Sequence, residues 1–410
     1  MRYAFFYHSV RSDWNQGNAH FLRGLVRALT DLGHRAVCYE EAAGWSVTNL
    51  VAGAGLRPLV EFRRCFPFID VRLYAREPAH ELERSLRAEL DGVDVVVLHE
   101  WPAAEHPALL EALLRLRRAC GFRLLFHDTH YRVLSEPARM ARLGLERCDA
   151  VLAFSPSLAA AYRDTLGLPG AAVHVFHEGA DTAIFYPRPR DPGRPTDDAV
   201  FVGNWGGPDR AAELRAFVFE PARRLQRRRF ALHGVRYPPE VLADLRAGSG
   251  VEYRGWLPNH RVPDAFAQAR VVLHVPRRQY ARLLYGTPTI RVFEALACGA
   301  PLISTPWVDS DGLFRVGEEY LVVDTPARLE AALEWLWRDE SARRRLARSG
   351  EQRILAAHTC RHRAAQLQAI VAGLGGPAAR PPGRLPAPAP PPSPAPAGYV
   401  DDSSEVAAGD

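Results

Sequence analysis

Short apolar runs of strand length alternate with amphipathic helical stretches in two successive rounds along this chain, and a proline-rich break separates the rounds. Few architectures satisfy that pattern. Residues 1–7 form an apolar run that enters a polar loop at 8–17. Phe21, Leu22, Leu25, Val26, Leu29 and Leu32 then recur at helical spacing and stop at Gly33 and His34, ahead of the run at 36–39. Further strand-length runs lie at 93–99, 122–127, 150–154 and 173–176. Strands alternating with helices predict a parallel sheet with helices on both faces.

Five prolines or glycines between residues 187 and 195 interrupt the pattern, as a linker does. The second round then places strands at 199–202, 230–233, 251–253, 271–275 and 301–304. Its helices are expected around 211–225, 239–247, 262–269 and 289–298, followed by three more at 327–337, 340–348 and 360–371. The fold class is therefore α/β, with two open sheets facing each other across a cleft at the carboxyl ends of their strands. The division expected is a first domain at 1–186, a linker at 187–196, a second domain at 197–355, a final helix at 356–373 and a Pro/Ala-rich, disordered tail at 374–410 that can build no core.

All 52 basic residues of the 410 are Arg; the chain has no Lys. That excludes a Walker-A phosphate loop, a Schiff-base aldolase and a pyridoxal-phosphate enzyme, each of which needs a Lys amine. An anionic ligand must instead be held by Arg, backbone N–H groups or helix N-termini. Six dispersed Cys without a Cys-x-x-Cys pair argue against a zinc ribbon or disulfide framework. No run approaches the roughly 20 apolar residues of a membrane helix. No signal-peptide pattern opens the chain, so a cytoplasmic protein is expected, with peripheral membrane contact left open. The net charge of +5 is scattered, and no nucleic-acid partner is expected.

Four segments could carry chemistry. Gly17 lies in the loop that opens the first helix, where a backbone can approach a ligand; an ordinary tight turn explains it equally. Gly203, Asn204 and Arg210 belong to a glycine-rich loop after a second-domain strand. It either cradles a diphosphate with Arg210 as charge partner or is a turn beside a surface Arg. His127 and Asp128 close a buried strand just before His130 and are the candidate catalytic pair. Successive strand residues face opposite ways, so the two cannot clamp a metal together, and no metal site is expected. His99 and Glu100 end another strand and are read as lining the cleft. Glu294 sits mid-helix among apolar neighbours, where a carboxylate must have partners. Arg291 at i−3 makes an internal ion pair one reading; ribose binding by Glu294 with Arg291 near phosphate is the other.

The string VFEALACGAPLIS resembles the signature of retaining GT-B glycosyltransferases of the family-four type, and PTIRVFEALACGAPLIS with GLFRVGEEYLV is most similar to their bacterial CgeB-like spore-maturation branch. QGNAHFLRGLVRALTDLGH, FHDTH, CDAVLAFSPSL, HEGADTAIFYP, FVGNWGGPDR and HTCRHR continue the likeness from residue 1 to about 372. The resemblance implies two Rossmann-like domains, with the acceptor on the N-terminal side and a nucleotide-sugar donor on the other. It implies no cofactor and no metal, and a last helix that crosses back to the first domain. Glu294 matches the second Glu of the family's E-x7-E motif, which binds ribose. Gly17 matches the second glycine of a Gly-Gly loop near the donor phosphates, and His127 matches a His that contacts the transferred sugar.

Three positions depart from the family pattern. Gly286 stands where the first Glu of E-x7-E belongs, Gln16 replaces the first loop glycine, and Asn204 replaces an Arg. The family's second phosphate cation, a Lys six residues after that Arg, corresponds to Arg210. Arg291, Arg277 or Arg278 must supply the missing charge. The activity implied is transfer of a hexose from a uridine or guanosine diphosphate sugar, with retention, to an unknown acceptor: a glycan, lipid, protein or small molecule. Arg210, Arg291 and the helix N-terminus after residue 208 would meet the charge on the leaving diphosphate. Two alternatives stay open. A nucleotide-sugar epimerase would draw on Asp128, Glu100 and His130, and a binding protein on the same fold would account for Gly286 and Asn204.

Overall fold

The computed structural model describes residues 1–248 and 250–375; the proline-rich segment read as a tail lies almost wholly outside them. Two all-parallel sheets organise the chain. In the first, β1 (Arg2–Phe6), β2 (Arg35–Glu41), β3 (Asp70–Tyr74), β4 (Val95–His99), β5 (Arg123–Asp128), β6 (Ala150–Ala153) and β7 (Val173–Val175) lie in the order 3-2-1-4-5-6-7. In the second, β8 (Ala199–Val202), β9 (Phe230–His233), β10 (Val251–Tyr253), β11 (Val272–His274), β12 (Leu302–Ser304) and β13 (Leu321–Val322) follow the order 10-9-8-11-12-13. Each sheet reverses its winding once, between β1 and β4 and between β8 and β11. Such switch points open crevices at the strands' carboxyl ends.

Central strands read as apolar runs because both faces are covered: every residue of β4 and β8 is buried. The sequence pattern does not reveal β3, whose five residues are mostly exposed or half-buried, because an edge strand buries too little to leave a run. It also misses β13, which is two residues long. The helix expected at 211–225 is broken into Ala211–Leu214, a π-helical turn at Arg215–Phe219 and Glu220–Arg224. Pro221, which has no N–H to give, falls just after the widened turn.

The linker is pinned rather than loose. Gln268, 4% exposed, donates to the carbonyls of Arg194 (2.7 Å) and Pro195 (2.9 Å) and accepts from the Asp191 N–H. The last helix, Cys360–Gly373, lies against the first, Ala19–Asp31, and its lead-in pairs with the other half through Ala180 N–H to His358 O and Cys360 N–H to Ala180 O. One apolar cluster runs through both halves, joining Phe21, Leu22 and Phe185 to Ile290, Val292 and Phe293. All six Cys are free. No described helix is long and apolar enough to cross a membrane.

Candidate active site

The crevices of the two sheets face each other and form one cleft. Gly17, Gly203, Asn204, Arg210 and Arg291 line it. Gly17 is there because nothing larger fits: a Cβ would come within 2.9 Å of the Ile290 side chain on the opposite wall. The neighbouring Asn18 does not cap the first helix. Its Nδ2 donates instead to Thr129 Oγ1 (2.7 Å), tying the loop after β1 to the end of β5.

The C-terminal wall is cationic. Arg210 is packed beneath Gly203 and over the Phe201 ring, with Nη1 donating to Val275 O (3.2 Å) and Nε unpartnered. It has no carboxylate partner among the described residues. Burial, together with Arg277 and Arg291, lowers its pKa to about 10. Arg277 and Arg291 line the same wall, whereas Arg278 is turned outward to Glu213 (2.7 Å). Two of the three arginines considered as replacements for the missing cation are therefore in place. Asn204 lines the cleft but its Oδ1 accepts from the Val235 N–H (2.9 Å), so it also holds the loop after β9. The long helix expected to aim its N-terminus here begins as a 3₁₀ turn at Gly207–Asp209 and runs one α-turn before widening.

Glu294 does not line the cleft. It is fully buried; Oε1 meets His20 Nδ1 at 2.9 Å and Oε2 pairs with Arg291. Both oxygens are engaged inside the protein, so the ion-pair reading of Arg291 and Glu294 describes the geometry and direct ribose contact does not. His127 and Asp128 also lie beneath the cleft surface. His127 is walled in by the rings of Tyr7, Phe21, His99 and Phe176; its Nδ1 pairs with the Tyr7 hydroxyl and Nε2 has no partner among the described residues. Burial lowers its pKa to about 3, leaving a neutral imidazole. Asp128 accepts from the Tyr162 hydroxyl (2.5 Å) and the His130 N–H (2.6 Å), and burial pushes its carboxyl well up. The candidate pair thus faces the interior, while the register partner of His127, His99, lines the cleft with Glu100.

The sequence reading missed several cleft residues. Glu178 follows β7 at the floor, 4% exposed; burial, then the nearby Glu294, push its carboxyl up to about 8, against the lowering effect of the Ile290 N–H. It lies within the HEGADTAIFYP landmark, which carries no spacing that marks it as functional. His274 is held by Ser304 (2.8 Å) and Thr289 (2.9 Å), and burial lowers it to about 3. His8, Trp101 and Tyr280 complete the walls beside His130, which the sequence reading already singles out. Gly286, at φ +77°, has its N–H on Val308 O, and a Cβ there would meet Ser310 at 2.5 Å and Pro156 at 2.8 Å, not the cleft. The absent Glu is a different local backbone, not merely a lost side chain. Among the described residues, no three His, Cys, Asp or Glu side chains are grouped to hold a metal ion.

Comparison with known proteins agrees with this arrangement. Residues 16–184 match the family model described as Glycosyltransferase Family 4, and residues 212–369 match the one described as Glycosyl transferase-like. No curated protein matches the sequence. HepE of Anabaena, solved with UDP and glucose, superposes with a TM-score of 0.65 at 14% identity, over 91% of this chain and 99% of that one. Sucrose-phosphate synthase of Thermosynechococcus elongatus gives 0.60 at 18%, over 91% and 99%. An alpha-glucosyltransferase in complex with UDP and a 13-mer DNA gives 0.63 at 11%, over 91% and 99%. At these identities the likeness is one of fold: two Rossmann-like domains with a cleft between them.

Proposed function

Taking the chain as a GT-B glycosyltransferase of the group 1 family, we propose that it moves a hexose from a nucleoside diphosphate sugar to an acceptor hydroxyl, with retention and without a metal. The observation that carries this is Arg210: a half-buried, desolvated guanidinium with no carboxylate partner among the described residues, beside Arg277 and Arg291 on one wall of the cleft. An unpaired buried cation is costly unless a ligand supplies the counter-charge. A diphosphate does so, and does so more strongly as the sugar–oxygen bond breaks and charge collects on the leaving group. Three arginines on that wall can meet the charge without a divalent cation, which supports metal independence. UDP is the first donor base to try, because solved proteins of the same fold carry UDP. The motif strings favour the CgeB-like branch within the family, and the domain roles follow from it: donor on 197–355, acceptor on 1–186.

The cleft offers one group for proton handling and the donor supplies the other. Glu178, held protonated near neutral pH, can donate a hydrogen bond to the donor sugar or leaving oxygen. With retention, the departing diphosphate itself can take the acceptor proton, so no separate base is required. His127 and Asp128 act from below as positioning residues, through Tyr7 and His130. The domain assignment, the donor-binding roles of Gly17, Gly203, Asn204, Arg210 and Arg291, with Glu294 acting on the donor through Arg291, and the absence of a cofactor are parts of this proposal.

The test is a thermal-shift and nucleotide-release screen over UDP-, GDP-, dTDP- and ADP-sugars, run without metal and repeated with Arg210→Gln. Stabilisation by one nucleotide, lost in the variant, and slow release of the free diphosphate are expected. If no nucleotide stabilises the protein, the transferase reading fails. If release occurs only when a divalent ion is added, metal independence fails alone.

A further inference from the structure

The two walls of the cleft differ in chemistry, and the difference bears on the acceptor. All three lining arginines come from the C-terminal half. The N-terminal wall presents the amides of Asn15 and Gln16, the Thr129 hydroxyl and the imidazoles of His8 and His130, together with two carboxyl groups, Glu100 paired with Arg132 and Glu178 raised to about 8, so it carries no free cation among the described residues. Burial, with the neighbouring Arg132, holds those imidazoles uncharged, His8 at about 4 and His130 at about 3. Arg132 itself is turned away, paired with Glu100 and over the Trp101 ring at 4.6 Å.

At the rim this wall becomes aromatic. Trp101 stacks on His8 (centroids 5.2 Å, 24°) and is followed by Trp45 at 6.1 Å and by Trp14 at 5.1 Å from Trp45. Trp45 is 40% exposed, and Arg236 reaches over it from the opposite half at 5.9 Å. None of the three indole N–H groups has a hydrogen-bond partner among the described residues. Trp45 is the exposed ring of the three, Trp14 and Trp101 being half-buried behind it, and an open indole at the mouth of a polar cleft suits a ligand with both an apolar face and hydroxyls.

We propose that the acceptor is an uncharged saccharide, its ring lying on the Trp101–Trp45–Trp14 surface and its hydroxyls reaching His8, His130 and the amides of Asn15 and Gln16. This rests on the transferase reading above and adds the class of acceptor to it. A sugar ring offers C–H faces to indole and hydroxyls to neutral donors and acceptors. A lipid phosphate or a nucleic-acid backbone would need a row of free cations along this wall; among the described residues Arg132 is spent on Glu100, and Arg236 reaches over Trp45 from the opposite half.

The experiment titrates the full chain, saturated with UDP, with uncharged oligosaccharides of gluco, galacto, manno and N-acetylglucosamine type, following indole fluorescence and calorimetry. An acidic oligogalacturonate and a short single-stranded oligonucleotide run in parallel. The proposal expects one uncharged oligosaccharide to bind and shift the indole emission. Trp45→Ala should weaken it roughly tenfold or more, with Trp45→Phe retaining most of the affinity. The UDP-induced thermal shift, measured in each variant, reports that fold and donor site are intact. Binding of only the charged probes, binding indifferent to Trp45→Ala, or no oligosaccharide binding beside a normal UDP shift overturns the proposal and leaves the transferase reading standing. Absence of any nucleotide shift overturns that reading, and the proposal with it.

Discussion

His20 and Glu294 join the two halves of the molecule: His20 Nδ1 lies 2.9 Å from Glu294 Oε1, both side chains fully buried. The tautomer follows from the other ring nitrogen. Nε2 accepts from the Asp181 N–H at 2.9 Å, so the proton sits on Nδ1 and is donated to Glu294. Arg291 takes the second carboxylate oxygen and then faces the cleft. Glu294 therefore orients a cleft-facing Arg and fastens the two halves together. Its replacement by Gln should cost about 3 kcal/mol of stability, because it weakens the buried contact with His20 and leaves the partly buried Arg291 without its counter-charge. Urea unfolding of Glu294→Gln checks this. An unchanged midpoint with lost nucleotide binding would instead return Glu294 to direct ligand contact.

Arg210 predicts the opposite sign. Without a carboxylate partner, its charge is a burden on the unliganded protein. Arg210→Gln should melt no lower than the parent, while UDP affinity falls between roughly tenfold and a hundredfold. Melting curves with and without UDP separate the two effects. A destabilised variant with unchanged UDP affinity would show that Arg210 is a packing residue.

Glu178 gives a pH signature. Its carboxyl is raised to about 8, against about 4.5 in the unfolded chain, so the native state holds a proton that the unfolded state has released. Stability from this group is full below the unfolded value and declines as pH rises through the folded one. His127 and His130, lowered to about 3, act at the other end: the unfolded chain takes up their protons below about 6.5, so stability falls on acidification. The histidine contributions are common to the parent and Glu178→Gln, so between about pH 6.5 and 8.5 the difference between the two proteins isolates the decline attributable to Glu178. Urea midpoints across that window should fall less steeply for Glu178→Gln; equal slopes would show that the carboxyl is ionised throughout.

Gly286→Glu tests whether the family's missing carboxylate can simply be restored. At φ +77° with Ser310 and Pro156 against any Cβ, the substitution should cost at least ~2 kcal/mol and add nothing to nucleotide-sugar turnover. A stable variant with raised turnover would mean that this loop can take the family's backbone.

The order of strands and helices was legible because buried parallel strands must be continuous apolar runs and covering helices must be amphipathic. That Gly17, Gly203, Arg210 and Arg291 line one cleft was legible too, because the loops and the helix start that follow the carboxyl ends of parallel strands converge there. What lay beyond local pattern was which way each polar group faces. Glu294 turns inward because a His 274 residues earlier in the chain meets it, and His127 and Asp128 are sealed below Tyr7 and Tyr162. Glu178 becomes a cleft residue only because the second sheet brings Ile290 and Glu294 against it. Trp14, Trp45 and Trp101 form one surface although no periodicity links them. A chain's own pattern determines which segments bury their faces. Charge state and direction at a site are set by neighbours remote in sequence, because electrostatics and desolvation act through space and only the packed structure defines that space.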